Sequence, residues 1–99
     1  MKVKLFKSPK AEKKWRVLFE NGSHVDFGQK GYSDFTLHKN PERMKLYLQR
    51  HRRMGETWGK SGTHTAGFWA RWLLWSKPNL AEAKKLIHKK FGLNIINTR

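Results

Sequence analysis

The chain has no cysteine, and its acids are few: seven Asp and Glu stand against 22 Lys and Arg, a formal net charge of +15 over 99 residues. Without thiols there is no disulfide framework, iron–sulfur centre or thiolate zinc site, so stability has to come from packing, and the composition fits a reducing compartment. The acids are too scattered to pair for hydrolysis, and two of them, Glu42 and Glu82, sit where helix starts need them. There is no phosphate-binding fingerprint either. The glycine-rich stretch from Gly55 to Gly67 lacks the Gly-Lys-Ser/Thr ending that contacts phosphates and Mg²⁺. Long hydrophobic runs are also missing: Ala66 to Trp75 is interrupted by Arg71 and falls short of the roughly 20 residues a spanning helix needs, so no membrane span is expected. The opening Met1-Lys2-Val3-Lys4-Leu5-Phe6-Lys7 has no apolar run of signal-peptide length, which favours an intracellular protein.

What is present is aromatic. Five Trp and six Phe supply enough apolar surface to offset chain entropy, so this is no disordered basic tail. The length allows one domain, 1–99, which excludes enzymes built around an inter-domain cleft. Up to Gly28 the pattern has a period of two. Val3 and Leu5 share a face, Trp15, Val17 and Phe19 share another, and Val25 and Phe27 resume the alternation after Asn21-Gly22, a dipeptide suited to the centre of a tight hairpin turn. Residues 1–28 are therefore expected to form a hairpin or antiparallel meander, with the hairpin at about 13–28.

From 32 to 92 the period is helical. Ser33 or Asp34 can cap a short turn through Phe35 and Leu37. Asn40-Pro41 opens a helix over about 41–53, with Met44, Tyr47, Leu48 and His51 on its inner face and Gly55 at its end. Thr63 or Thr65 can cap a helix running to Ser76, stopped by Lys77-Pro78 and apolar around much of its circumference. Within it Trp69 and Trp72 are assigned to the core. Asn79, with Glu82 three residues on, caps a last helix with Leu80, Ala83, Ile87 and Phe91 inward and Gly92 at its end; residues 93–99 form a short strand or tail. The expected fold class is α+β, a small antiparallel meander packed on about three helices with the Trp-rich helix central.

The charge points to binding. Lys39, Arg43, Lys45, Arg50, Arg52 and Arg53 flank or occupy the 41–53 helix against one acid, and Lys84, Lys85, Lys89 and Lys90 repeat the pattern on the last helix. Such cationic faces suit phosphates, with arginine gripping them in two-pronged fashion. Trp58 and Trp75 are the tryptophans expected nearest the surface, as anchors for a protein contact. The five histidines form no i, i+4 pair and have no Cys, Asp or Glu at ligand spacing, so no metal site or cofactor is assigned. A minimal nuclease built on His38 with Asn40, or His64 with Thr65, is the weakest reading; none of these residues is assigned a catalytic role.

The run Gly31-Tyr32-Ser33-Asp34-Phe35-Thr36 with His38-Lys39, then Pro41-Glu42-Arg43, Tyr47, Arg50-His51, Trp58 and Thr65-Ala66-Gly67-Phe68-Trp69-Ala70-Arg71-Trp72-Leu73-Leu74-Trp75 with Lys77-Pro78, resembles a family of small basic proteins of nucleocytoplasmic large DNA viruses. That family is carried as a domain of unknown function, and the resemblance spans about Trp15 to Phe91. It implies a virion setting, or the cytoplasm or nucleus of the host cell. The implied role is a non-enzymatic structural protein of capsid or core. Its partners would be nucleic acid, double-stranded DNA above all, or viral capsid proteins, with no small-molecule substrate. A nucleic-acid-binding module for genome compaction or regulation is the alternative.

Overall fold

The computed structural model describes residues 2–54, 58–59 and 62–97, so the expected helix end at Gly55 lies outside the described residues. Strands β1 (Lys2–Lys7), β2 (Lys13–Phe19) and β3 (His24–Gln29) form the expected antiparallel meander, with Val3 opposite Phe19, Leu5 opposite Val17 and Trp15 opposite Phe27. A fourth strand, β4 (Asn94–Asn97), pairs parallel to β1, which gives the order β3-β2-β1-β4 and makes the sheet mixed. The β2–β3 hairpin departs from the expected two-residue turn. Gly22 N–H donates to the Phe19 carbonyl at 3.0 Å and only Gly22, at φ 89°, is left-handed, so Glu20 and Asn21 take the turn centre and glycine absorbs the bulge.

Four helices follow among the described residues: α1 (Phe35–His38), α2 (Pro41–Arg53), α3 (Ala66–Trp69) and α4 (Leu80–Phe91). Each start has its cap oxygen: Asp34 accepts from Thr36 N–H, Asn40 from Glu42 and Arg43, Thr65 from Phe68, and Asn79 from Glu82. The Trp-rich segment is not one regular helix to Ser76. After Trp69 it widens into a π-helical turn, Ala70–Leu74. Its buried residues, Phe68-Trp69 and Leu73-Leu74, recur at i and i+5, which is the hydrogen-bond step of a π turn. That wide turn brings both pairs onto the sheet and rotates Arg71 and Trp72 away from it.

Val3, Leu5, Val17, Phe19 and Phe27 from one face of the sheet meet Phe68, Trp69, Leu73 and Leu74, with Ala83, Ile87 and Leu93 closing the far side. Trp69 is completely buried, and its indole N–H donates to the Thr63 carbonyl at 2.7 Å. Trp72, by contrast, is half-buried and packs against this core from outside, which corrects its assignment as a core residue. Gly28, at φ 75°, is where the sheet touches the π turn: a Cβ there would lie 2.9 Å from Leu74 Cδ1.

On the other face of the sheet Asp26 binds Arg16 in two-pronged fashion at 2.8 and 3.0 Å and accepts from the Ser8 hydroxyl at 2.9 Å. These interactions, the Arg16 hydrogen bonds first, lower its pKa from 3.8 to about 2 against the opposing effect of burial. Because the folded value lies below the unfolded one, the stabilisation is complete above about pH 5 and is lost as pH falls through 2. Asp26→Asn is expected to cost about 1–3 kcal/mol at neutral pH. Urea midpoints should show a gap between wild type and variant that narrows on acidification; a gap constant down to pH 2 would contradict this.

Candidate nucleic-acid interface

Helix α2 begins where His38 prepares it. The His38 ring lies against Phe35 and Trp75, and its Nδ1 accepts from the Asn40 amide at 2.9 Å. Burial, assisted by nearby Arg43, pushes its pKa down, which keeps Nδ1 available as an acceptor. Along α2, Tyr47 is buried and Met44, Leu48 and His51 are half-buried. The Tyr47 ring stacks flat on Trp75, with centroids 4.1 Å apart and planes 3° apart, and on His51 at 4.0 Å.

With that stripe turned inward, a 3.6-residue period divides the helix's cations between two flanks. Arg43 and Arg50, seven residues apart, border a cleft of about 400 Å³ that also contains Lys13, Tyr32, Ser33 and Gly67 in its walls. Lys45 and Arg52, on the opposite flank, border a second cleft of about 430 Å³, shared with Trp58, Arg71 and Trp72. Arg53 lies on the crest between them with exposed Leu46. Five of the six cations read as one face from the sequence thus form a ridge with two charged slopes. A larger hollow of about 540 Å³ lies beside α1, between Trp15, Leu37 and Leu80 and the side chains of Lys7 and Lys30.

Lys39 does something else: its ammonium donates to the Thr36 carbonyl at 3.1 Å and the Pro78 carbonyl at 2.7 Å, tying α1 to the approach to α4. On α4, Lys85 and Lys89 are exposed, whereas Lys84 is half-buried and its pKa is lowered by that burial. Lys90 reaches the Trp72 ring, 5.2 Å from its centroid. The Trp72 indole therefore brings charge from α4 beside the Lys45–Arg52 slope of α2. Neither Trp58 nor Trp75 is a fully exposed anchor. Both are half-buried; Trp58 accepts the Trp72 indole N–H at its carbonyl, 2.8 Å away, and Trp75 carries the Tyr47 stack.

Arg71 was legible in the sequence only as an interruption of an apolar run. In the structure its guanidinium carbon lies 4.2 Å from the Trp72 ring centroid and 5.3 Å from that of Trp58. The ion pairs among the described residues are Lys10 and Arg16 with Asp26, and Lys14 with Asp34, with the His24 ring 3.8 Å from Asp26. None involves Arg43, Lys45, Arg50, Arg52 or Arg53, or Lys85, Lys89 or Lys90. No three His, Asp or Glu side chains gather into a metal-binding group among the described residues, and no described helix is long and apolar enough to cross a membrane.

Fold and surface together define a small basic α+β protein with a cationic helical ridge. Residues 3–51 match a family of unknown function (DUF5754), from β1 to the inward stripe of α2. No curated protein and no solved structure matches the chain.

Proposed function

We propose that this chain is a non-enzymatic binding protein that holds the phosphate backbone of nucleic acid, double-stranded DNA in the first place, along the α2 ridge and across to α4. The observation that carries this reading is the division of charge. The two buried acids, Asp26 and Asp34, are neutralised inside the fold by Arg16, Lys10 and Lys14, while the exposed cations of α2 have no acidic partner among the described residues. A polyanion laid along the ridge supplies the missing charge and gains the free energy of counterion release.

The aromatic contacts favour backbone over base recognition. Tyr47 lies on the face of Trp75, and Arg71 and Lys90 lie on Trp72, so these rings are already engaged by the protein's own groups. In the viral setting that the sequence resemblance implies, the ligand is the genome and the protein a component of the particle's core. The other reading is a capsid-associated piece held by acidic protein surfaces. It is favoured by Leu46 and Met54, 63% and 67% exposed beside the same cations.

The test is binding to duplexes of unrelated sequence and to single strands of equal length. Equal affinity across the duplexes, with tryptophan emission unquenched, supports backbone binding. Strong quenching on single strands alone would overturn it in favour of base stacking, and the absence of duplex binding at low salt would favour the capsid reading.

A further inference from the structure

We infer that Arg71, with Lys45 and Arg52 beside it, forms a receptor for one phosphate group in the cleft between α2 and the π turn. The inference rests on the polyanion reading and gives it a specific seat. Arg71 is the one charged residue between Ala66 and Trp75, and the π turn directs it out of the core. Trp58 and Trp72 flank the guanidinium and shield it from water. Its Nε and Nη1 are covered and have no hydrogen-bond partner among the described residues.

A guanidinium placed for stability alone is normally satisfied by a carboxylate or by carbonyl oxygens. Here no acid pairs with it among the described residues, and burial lowers its pKa, opposed by nearby Tyr47 and reinforced by repulsion from Arg52. Two unbonded donors on a partly desolvated cation oppose folding, and an apolar side chain of similar size would fit between the indoles without that cost. What compensates is an anion that enters the cleft. Lys45, Arg52 and Arg71 converge there with no acid among the described residues lining it. Three positive charges around one opening suit a phosphate, which Lys45 and Arg52 can reach by hydrogen bonds while the shielded Arg71 guanidinium adds its charge and turns a side nitrogen to the anion as it enters. A phosphodiester of nucleic acid and free phosphate share this chemistry.

The test uses the full chain with Arg71→Met, Arg71→Lys and the exposed-rim variant Arg52→Gln. Thermal melts are recorded in phosphate and in chloride at matched ionic strength, alongside duplex titrations. Wild type is expected to melt higher in phosphate. Arg71→Met should melt at or above wild type in chloride, lose the phosphate-induced rise, and bind duplex about ten- to a hundredfold more weakly. Arg71→Lys should keep part of the rise, and Arg52→Gln should reduce it without altering the melt in chloride.

An Arg71→Met protein that melts well below wild type, or that phosphate still stabilises fully, would overturn the inference, as would an undiminished phosphate response in Arg52→Gln should Arg71→Met not fold. Duplex binding unchanged in Arg71→Met but abolished on removing α2 charges would remove this receptor and leave the polyanion reading standing. A phosphate response that depends on Arg71, with no duplex binding by wild type, would keep the receptor and remove nucleic acid as its source of phosphate.

Discussion

Replacing Arg43, Lys45, Arg50 and Arg52 together by Gln is expected to weaken duplex binding by about a hundred- to a thousandfold at moderate salt, and to make the salt dependence shallower by about one log unit for each phosphate no longer neutralised. These side chains occupy the two slopes of α2, are exposed, and take part in no ion pair among the described residues. Their removal should therefore leave the melting temperature within a few degrees of wild type, or raise it slightly by relieving self-repulsion. Splitting the set shows how the ligand lies. If the Arg43/Arg50 pair and the Lys45/Arg52 pair each account for about half of the weakening, the backbone straddles the ridge. If one pair accounts for all of it, the ligand keeps to that slope. Circular dichroism and electrophoretic mobility shifts suffice for both readouts. A quadruple variant that binds as tightly as wild type would remove α2 from the interface.

The largest effect on stability is expected at Trp69. The side chain is fully buried between Phe19, Phe27 and Phe68, and it ties the entry to α3 through its bond to the Thr63 carbonyl. Trp69→Ala should cost about 3–5 kcal/mol, the transfer energy of an indole plus the cavity left behind. For a domain of this size that lowers the melting temperature by roughly 15–30 °C. Trp72→Ala should cost less, about 1–2 kcal/mol, since that ring is half-buried and packs on the core from outside. Equal destabilisation by the two would mean that the π turn does not separate them as described.

That separation marks where the sequence stopped being readable. The strands were legible because alternation at Val3, Leu5, Val17 and Phe27 depends only on the two-residue period of a sheet, and the helix starts because Asp34, Asn40, Thr65 and Asn79 offer acceptor oxygens to unpaired amides. The parallel pairing of β4 was not, because four residues carry no mark of direction and the pairing is decided by where the helices return the chain. Between Phe68 and Trp75 nearly every residue is apolar, so a regular helix and a π turn fit the composition equally well. Only the i, i+5 recurrence of the buried pairs tells them apart. Helical spacing alone therefore puts Trp72 in the core with Trp69 and leaves Arg71, which lies over the Trp72 ring, as a mere interruption.

The charged residues were legible as separate positions and not as a surface. Arg43 and Arg50 differ from Lys45 and Arg52 only in position along the helix, and which slope each occupies follows once Tyr47 is turned inward onto Trp75. Lys39 looked like one more phosphate ligand, but its ammonium bridges two carbonyls in the fold. Lys90 looked like one more lysine of α4, and its approach to Trp72 brings α4 beside the Arg71 cleft. Such distinctions arise from tertiary packing, which local spacing does not encode.

The most direct measurement is a salt titration of wild-type protein on a labelled duplex, followed by fluorescence anisotropy. If the exterior cations hold phosphates, log affinity should fall linearly with log salt, at a slope of about −4 or steeper, and do so alike for unrelated sequences. Binding that is indifferent to salt, or no binding at low ionic strength, would contradict a phosphate-holding ridge.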